Sequence, residues 1–184
     1  MRATARILAI AAAGAIAAAG TAIAQTAPAD ESDWVVAEIL TTGGEIAGTV
    51  TFRPAVHGVV VRAELANLPA GLHGFHIHER GACQPDFEAA GGHYAPEGHE
   101  HGYDNPAGYH VGDLPNIHVD ADGVAVADFF VPRLTLAAAT DPLPFSLQDE
   151  DGSAVMIHEG GDSYNAESGT GARIACGVIF PPRE

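Results

Sequence analysis

A chain of 184 residues holds one domain, or one domain plus a processed segment. Its basic side chains are all arginines, eight of them against 24 acids, for a formal charge of −16. That balance repels nucleic acid and anionic membranes and excludes both as partners, leaving only local positive spots to attract a small anion.

The chain opens with MRATARILAIAAAGAIAAAGTAIAQ: Arg2 and Arg6, an apolar run from Ile7 to Ala19, then Ala22-Ile23-Ala24. Positive start, short apolar middle and small A-x-A end predict a secretory signal peptide over 1–24, cut after Ala24. The apolar run is too short for an anchor, since a spanning helix needs about 20 such residues. Export to the periplasm is expected, with no membrane attachment after cleavage. Losing Arg2 and Arg6 takes the formal charge to −18. Residues 25–32, QTAPADES, read as a mobile polar leader to a domain over 33–184.

Short runs with β-branched residues and partial two-residue alternation follow: WVVAEILTT, GEIAGTVTFRP, GVVVRAELANLP and GFHIHE, parted by Gly, Pro and Asn. Residues 80–115 then lose periodicity and fill with Gly, Pro, His and acid. Strand signals resume at NIHVDADGVAVADFFVP, where Asp122-Gly123 marks a hairpin turn. They continue through SAVMIHE and ARIACGVIF, with the irregular GGDSYNAESGTG between those two. About eight short strands without a helical period predict an antiparallel sandwich or barrel. Both long loops adjoin histidine-bearing strands, and long loops in compact domains are usually functional.

Cys83 and Cys176 make an even count in an exported chain, so a disulfide between them is the default. Closing so long a loop is worth about 4–5 kcal/mol in the chain-entropy account. The rival use, a two-cysteine metal site, lacks a close C-x-x-C pair.

Residues two apart in a strand share a face at about 7 Å. His76 and His78 therefore face one way while Phe75 and Ile77 face the core, and two imidazoles so placed can reach one metal. His73 has the other parity and reads as a buried histidine bonded to backbone. In AVMIHE, Val155 and Ile157 point inward, Met156 and His158 outward. The irregular stretch GGHYAPEGHEHGYDNPAGYHVGD adds His93, His99, His101, His110 and Asp113. As composition this is equally a loose metal-binding tract or a built site. The spacing favours the built site, with His93, His101 and His110 set 8 and 9 residues apart and Asp113 three further on.

The segments GLHGFHIHE, GGHYAP, HVGDLPN, DADGVA, MIHEGGD and GARIACGVI, in this order from about Trp34 to Phe180, resemble copper/zinc superoxide dismutase, in its bacterial exported branch. The resemblance implies an all-β fold, an eight-stranded Greek-key barrel with two long functional loops. It implies one copper and one zinc ion per subunit. Copper would be held by His76, His78, His93 and His158, and zinc by His93, His101, His110 and Asp113, with His93 bridging the two. Asp162 would link a copper histidine to a zinc histidine. Arg173 would receive the superoxide anion, and Cys83–Cys176 would be the family's intrachain disulfide. His93 and Arg173 would be the catalytic pair, dismuting superoxide to dioxygen and hydrogen peroxide, with His93 carrying a proton. The family's dimer contacts differ between branches, so a homodimer stays open. An inactive relative that binds or stores copper and zinc in the periplasm is the alternative, although storage needs neither a bridging histidine nor Arg173. His99 is the one competitor for the place of His101; His57 and His118 read as surface residues. Where many relatives carry a lysine that attracts substrate, the loop between His158 and Arg173 has none.

Overall fold

The β-branched runs all become strands in the computed structural model, which describes residues 31–167 and 169–183. The predicted signal peptide and residues 25–30 of the leader lie outside the described residues; Glu31–Asp33 form a 3-10 turn. The strands are β1 (Val35–Thr41), β2 (Ile46–Ala55), β3 (Gly58–Leu65), β4 (Gly71–His78), β5 (Asp113–Val119), β6 (Ala125–Pro132), β7 (Leu134–Thr135), β8 (Phe145–Ser146), β9 (Ser153–His158) and β10 (Arg173–Phe180).

Eight of them form one antiparallel sheet in the order β5-β4-β9-β10-β1-β2-β3-β6. Its edge strands, β5 and β6, pack against each other, so the sheet curls into a nearly closed barrel. Chain-distant neighbours (β3 beside β6, β4 beside β9) give the Greek-key character. The two-residue strands β7 and β8 pair in parallel outside this sheet.

Alternation explains the core. In β3, Val59, Val61, Ala63 and Leu65 are buried while Arg62 and Glu64 face water. The same inward parity in other strands supplies Ile39, Phe52, Phe75, Ile77, Ile117 and Ile157, all at most 1 % exposed. Each such large side chain stabilises the fold by about 1.5–3 kcal/mol.

Across the other half of the sheet the outward face is covered too. All six residues of β9 are buried, because the long loops lie over its outer side. One cross-strand row runs Leu40, Cys176, Met156, His76, Asp113 through β1, β10, β9, β4 and β5. That row links the disulfide to the histidine cluster on one surface.

Some details differ from the sequence expectation. β5 starts at Asp113, ahead of the predicted Asn116, since an edge strand tolerates Pro115 with no ladder partner for its nitrogen. The turn between β5 and β6 closes, with the Asp120 N–H donating to the Val124 carbonyl at 2.8 Å. Beyond it the two strands part to opposite edges of the sheet, so no ladder forms between them. The stretch 80–115 contains a one-turn 3-10 helix, Phe87–Ala90, capped by the Asp86 carboxylate accepting from the Glu88 N–H. Among the described residues no helix is long and apolar enough to cross a membrane.

Candidate metal centre

Two strands and two loops bring the predicted residues together. His76 and His78 stand on the outward face of β4, and His158 ends the neighbouring β9. His93 approaches from the loop through an isolated bridge to His78. His101 and His110 come from the same loop, and Asp113 opens β5 directly across from His76. Arg173, the first residue of β10, lies across from His158.

These side chains form two groups that share His93: His76, His78, His93, His158 and His93, His101, His110, Asp113, each with ligand-capable atoms within 4.8 Å of one another. In the first group His76 Nδ1, His78 Nε2 and both His158 ring nitrogens are buried without a hydrogen-bond partner. Orphaned buried polar atoms are costly, so several aimed at one point call for a bound ion.

The remaining nitrogens are occupied in ways that fix the tautomers. His78 Nδ1 donates to the Gly91 carbonyl at 3.0 Å, leaving the Nε2 lone pair to face the group. His76 Nε2 donates to Asp162 Oδ2 at 2.9 Å, leaving Nδ1. Burial first, then the neighbouring His93, pushes His78 down to about 2. His158 falls to about 3, again by burial first and then by His76 and His93. His93 falls to about 4, mainly through burial, so these three rings favour the neutral form that binds metal; His76 leaves its Nδ1 without a hydrogen-bond partner.

The second group is built around one carboxylate. Asp113 Oδ2 accepts the backbone N–H groups of Gly102 and His110, both at 3.1 Å. Oδ1 faces the Nδ1 atoms of His93, His101 and His110 at 2.7, 3.1 and 3.1 Å. Burial alone would raise the Asp113 carboxyl, but the histidine contacts and the Gly102 N–H hold it well below the usual range. A neutral His101 gives its one N–H to Asp162 at Nε2, 3.1 Å from Oδ1. Its Nδ1 lone pair then points at a carboxylate oxygen, a repulsive contact unless a cation lies between them. Three imidazoles and a carboxylate suit closed four-coordinate zinc.

Asp162 touches one histidine of each group, His76 and His101. Asn116 holds it in place: its Oδ1 accepts the Asp162 N–H at 2.7 Å and its Nδ2 donates to the Asp162 carbonyl at 2.8 Å. Cys83 and Cys176 are joined as a disulfide, which ties the loop before His93 to β10. Within that loop, the Phe87 and Gly91 carbonyls accept from Arg173 Nη1 and Nη2 at 2.7 and 2.8 Å.

The other histidines lie apart. His73 sits on the core side of β4, with Nδ1 2.7 Å from the His158 carbonyl and Nε2 2.8 Å from the Pro69 carbonyl. His99 is exposed, 3.9 Å from a Glu97 oxygen, and joins neither group. His57 and His118 are exposed. Sequence reasoning missed Asn116, the Gly91 carbonyl and Tyr103, whose hydroxyl donates to the Asp113 carbonyl at 2.5 Å. A backbone acceptor leaves no residue-type signal, and asparagine is common enough in turns to hide such a role.

Residues 46–179 match the family described as copper/zinc superoxide dismutase (SODC). A Cu-Zn superoxide dismutase of Caulobacter vibrioides is 42% identical over 140 residues, covering 74% of this chain and 79% of its own. The superoxide dismutase-like protein YojM of Bacillus subtilis is 44% identical over 119 residues, 63% of this chain and 59% of its own length. The Cu/Zn superoxide dismutase structure from Brucella abortus superposes with a TM-score of 0.64 at 31% identity, over 79% of this chain and 99% of that one.

Proposed function

Because the chain belongs to the copper/zinc superoxide dismutase family, we propose that it dismutes superoxide to dioxygen and hydrogen peroxide at one copper and one zinc per chain. The carrying observation is the sharing of His93 between the two groups, with Arg173 across from His158 at the edge of one of them. His76, His78, His93 and His158 hold copper; His93, His101, His110 and Asp113 hold zinc. Bound there, copper would supply a one-electron redox couple and zinc a fixed positive charge.

The chain's own residues do the rest. Nδ1 of His93 faces the Asp113 side, so its Nε2 is the atom that takes up a proton and returns it to the second superoxide. Water supplies the other proton of hydrogen peroxide. Asp162 keeps His76 and His101 in one tautomer and orientation. Arg173, always charged and held by two carbonyls, keeps one N–H on each Nη to orient the anion. Residues 1–24 direct export to the periplasm, and 33–184 form the catalytic domain.

The second reading, a copper- and zinc-binding protein without activity, draws on the relative named superoxide dismutase-like. The complete set of ligands and the fixed Arg173 favour the enzyme. Metal analysis of the purified protein beside a dismutation assay tests it. One copper and one zinc with activity supports the enzyme; zinc alone, or loose stoichiometry without activity, supports storage.

A further inference from the structure

Arg173 has five N–H groups. Nη1 and Nη2 each give one to a carbonyl, and Nε faces Glu88 Oε1 at 3.5 Å. The pair is uneven: the Arg173 side chain is 17% exposed and that of Glu88 77%. Two carbonyls inside a disulfide-tied loop already fix the guanidinium, so Glu88 is not needed to hold it. Beside the pair lies a cleft of about 500 Å³ lined by Gln84, Phe87, Glu88, Ala172 and Arg173, which gives the carboxylate room to swing.

A carboxylate there is a resident anion beside the group that receives an anion. The chain has no lysine to outweigh it. Arg62 is engaged by Asp128 and Glu64, Arg133 by Glu97, and Arg183 by the Gln148 carbonyl.

We propose that the Glu88 carboxylate, 3.5 Å from Arg173 Nε, opposes superoxide and other small anions at Arg173 through its charge and so lowers the anion affinity of the site. The inference rests on the reading of Arg173 as the anion receiver. Removing the Glu88 charge lifts the potential at the free Nη N–H groups, whereas losing a distant acid does not.

The test is azide titration of the copper- and zinc-loaded protein, followed by the absorbance change of the copper site. The parent is compared with Glu88→Gln, Glu88→Ala, Arg173→Ala and Asp122→Asn, the last removing one charge from the exposed turn at the far end of β5. Both Glu88 variants should bind azide about two- to five-fold tighter, the range an exposed ion pair allows. Their dismutation rate constants should rise in step, and Asp122→Asn should match the parent. Unchanged or weaker azide binding in both Glu88 variants, with Arg173→Ala impaired, overturns the role of Glu88 alone. Parent-like azide binding in Arg173→Ala overturns the reading of Arg173, and the inference with it.

Discussion

The two halves of the sheet solve different problems. Between β2 and β3 and between β3 and β6 the registers run unbroken, one face is apolar core and the other meets water. Around β4, β9 and β10, the β4–β5 and β9–β10 ladders slip, at His73/Phe75 and at both ends of β10, and the outer face is buried under loops. The first half is held by apolar burial and its ladder hydrogen bonds, with surface ion pairs at Arg62. The second encloses histidine nitrogens that lack partners, each an expense of about 1–3 kcal/mol until an ion is bound. A site of this kind is stabilised by what it binds, and the plain half keeps the chain folded meanwhile.

The disulfide offers the most forceful way to break that division. Reducing Cys83–Cys176, 93 residues apart, should lower stability by about 4–5 kcal/mol on the chain-entropy account. Hydrogen exchange should accelerate at Phe87–Gly91 and β10 well before β2 and β3. Alkylation of unreduced, denatured protein should find no thiol. Two reactive thiols, or an unchanged melting temperature after reduction, would show that the cross-link does not organise the site half.

His93→Ala removes a ligand from both groups at once. Activity should fall about 100-fold or more, as loss of a positioned proton carrier allows. Zinc should bind far more weakly, while the amides of β2, β3 and β6 keep their protection. Normal zinc affinity with full activity would dismiss His93 as the shared ligand.

Acid should separate the halves in metal-free protein. His93 is held at about 4 against about 6.5 unfolded, and His78 and His158 are lower still. A depressed folded value means the unfolded chain takes protons first. The stability is complete above about pH 6.5 and is lost as pH falls toward those folded values. His93 alone contributes a loss on the order of 2 kcal/mol by pH 5. Asp113, also depressed, adds to the loss only at lower pH. Pulse-labelling exchange should show β4 and β9 opening first; uniform opening across the sheet would erase the contrast between halves.

Salt is the smallest lever. On the proposed reading Arg173 attracts superoxide locally, against the repulsion of Glu88 beside it and of the other acids of the chain. At 0.1 M, screening over about 10 Å weakens both. The rate constant should stay flat or rise slightly from low to moderate ionic strength, measured as pulse-generated superoxide decay with both metals loaded. A steep fall would mean that attraction dominates despite the absence of lysine.

The same contrast decides what the sequence reveals. Alternation in GVVVRAEL exposes β3 at once, because one side of that strand meets water. SAVMIH is buried on both sides, yet His158 still falls on the face of Met156, as parity predicts. His76 and His78 are legible for the same reason. Leu134–Thr135 and Phe145–Ser146 are too short to carry a period, so β7 and β8 pass unnoticed. What His78 and Arg173 share, the carbonyl of Gly91, depends on where a loop folds back and leaves no trace in residue identity.

β10 stands between β9 and β1, and among the described residues it is the one strand whose ladders join β5-β4-β9 to β1-β2-β3-β6. Among the described residues it is also the last strand in chain order. Without it the sheet is two ribbons with open edges, Cys83 lacks its partner and the histidine cluster lacks Arg173. Loss of this last strand removes the seam, the cross-link and Arg173 together. A chain cut short of β10 therefore exposes the edges of β9 and β1, and unpaired edges of this kind invite pairing with other chains.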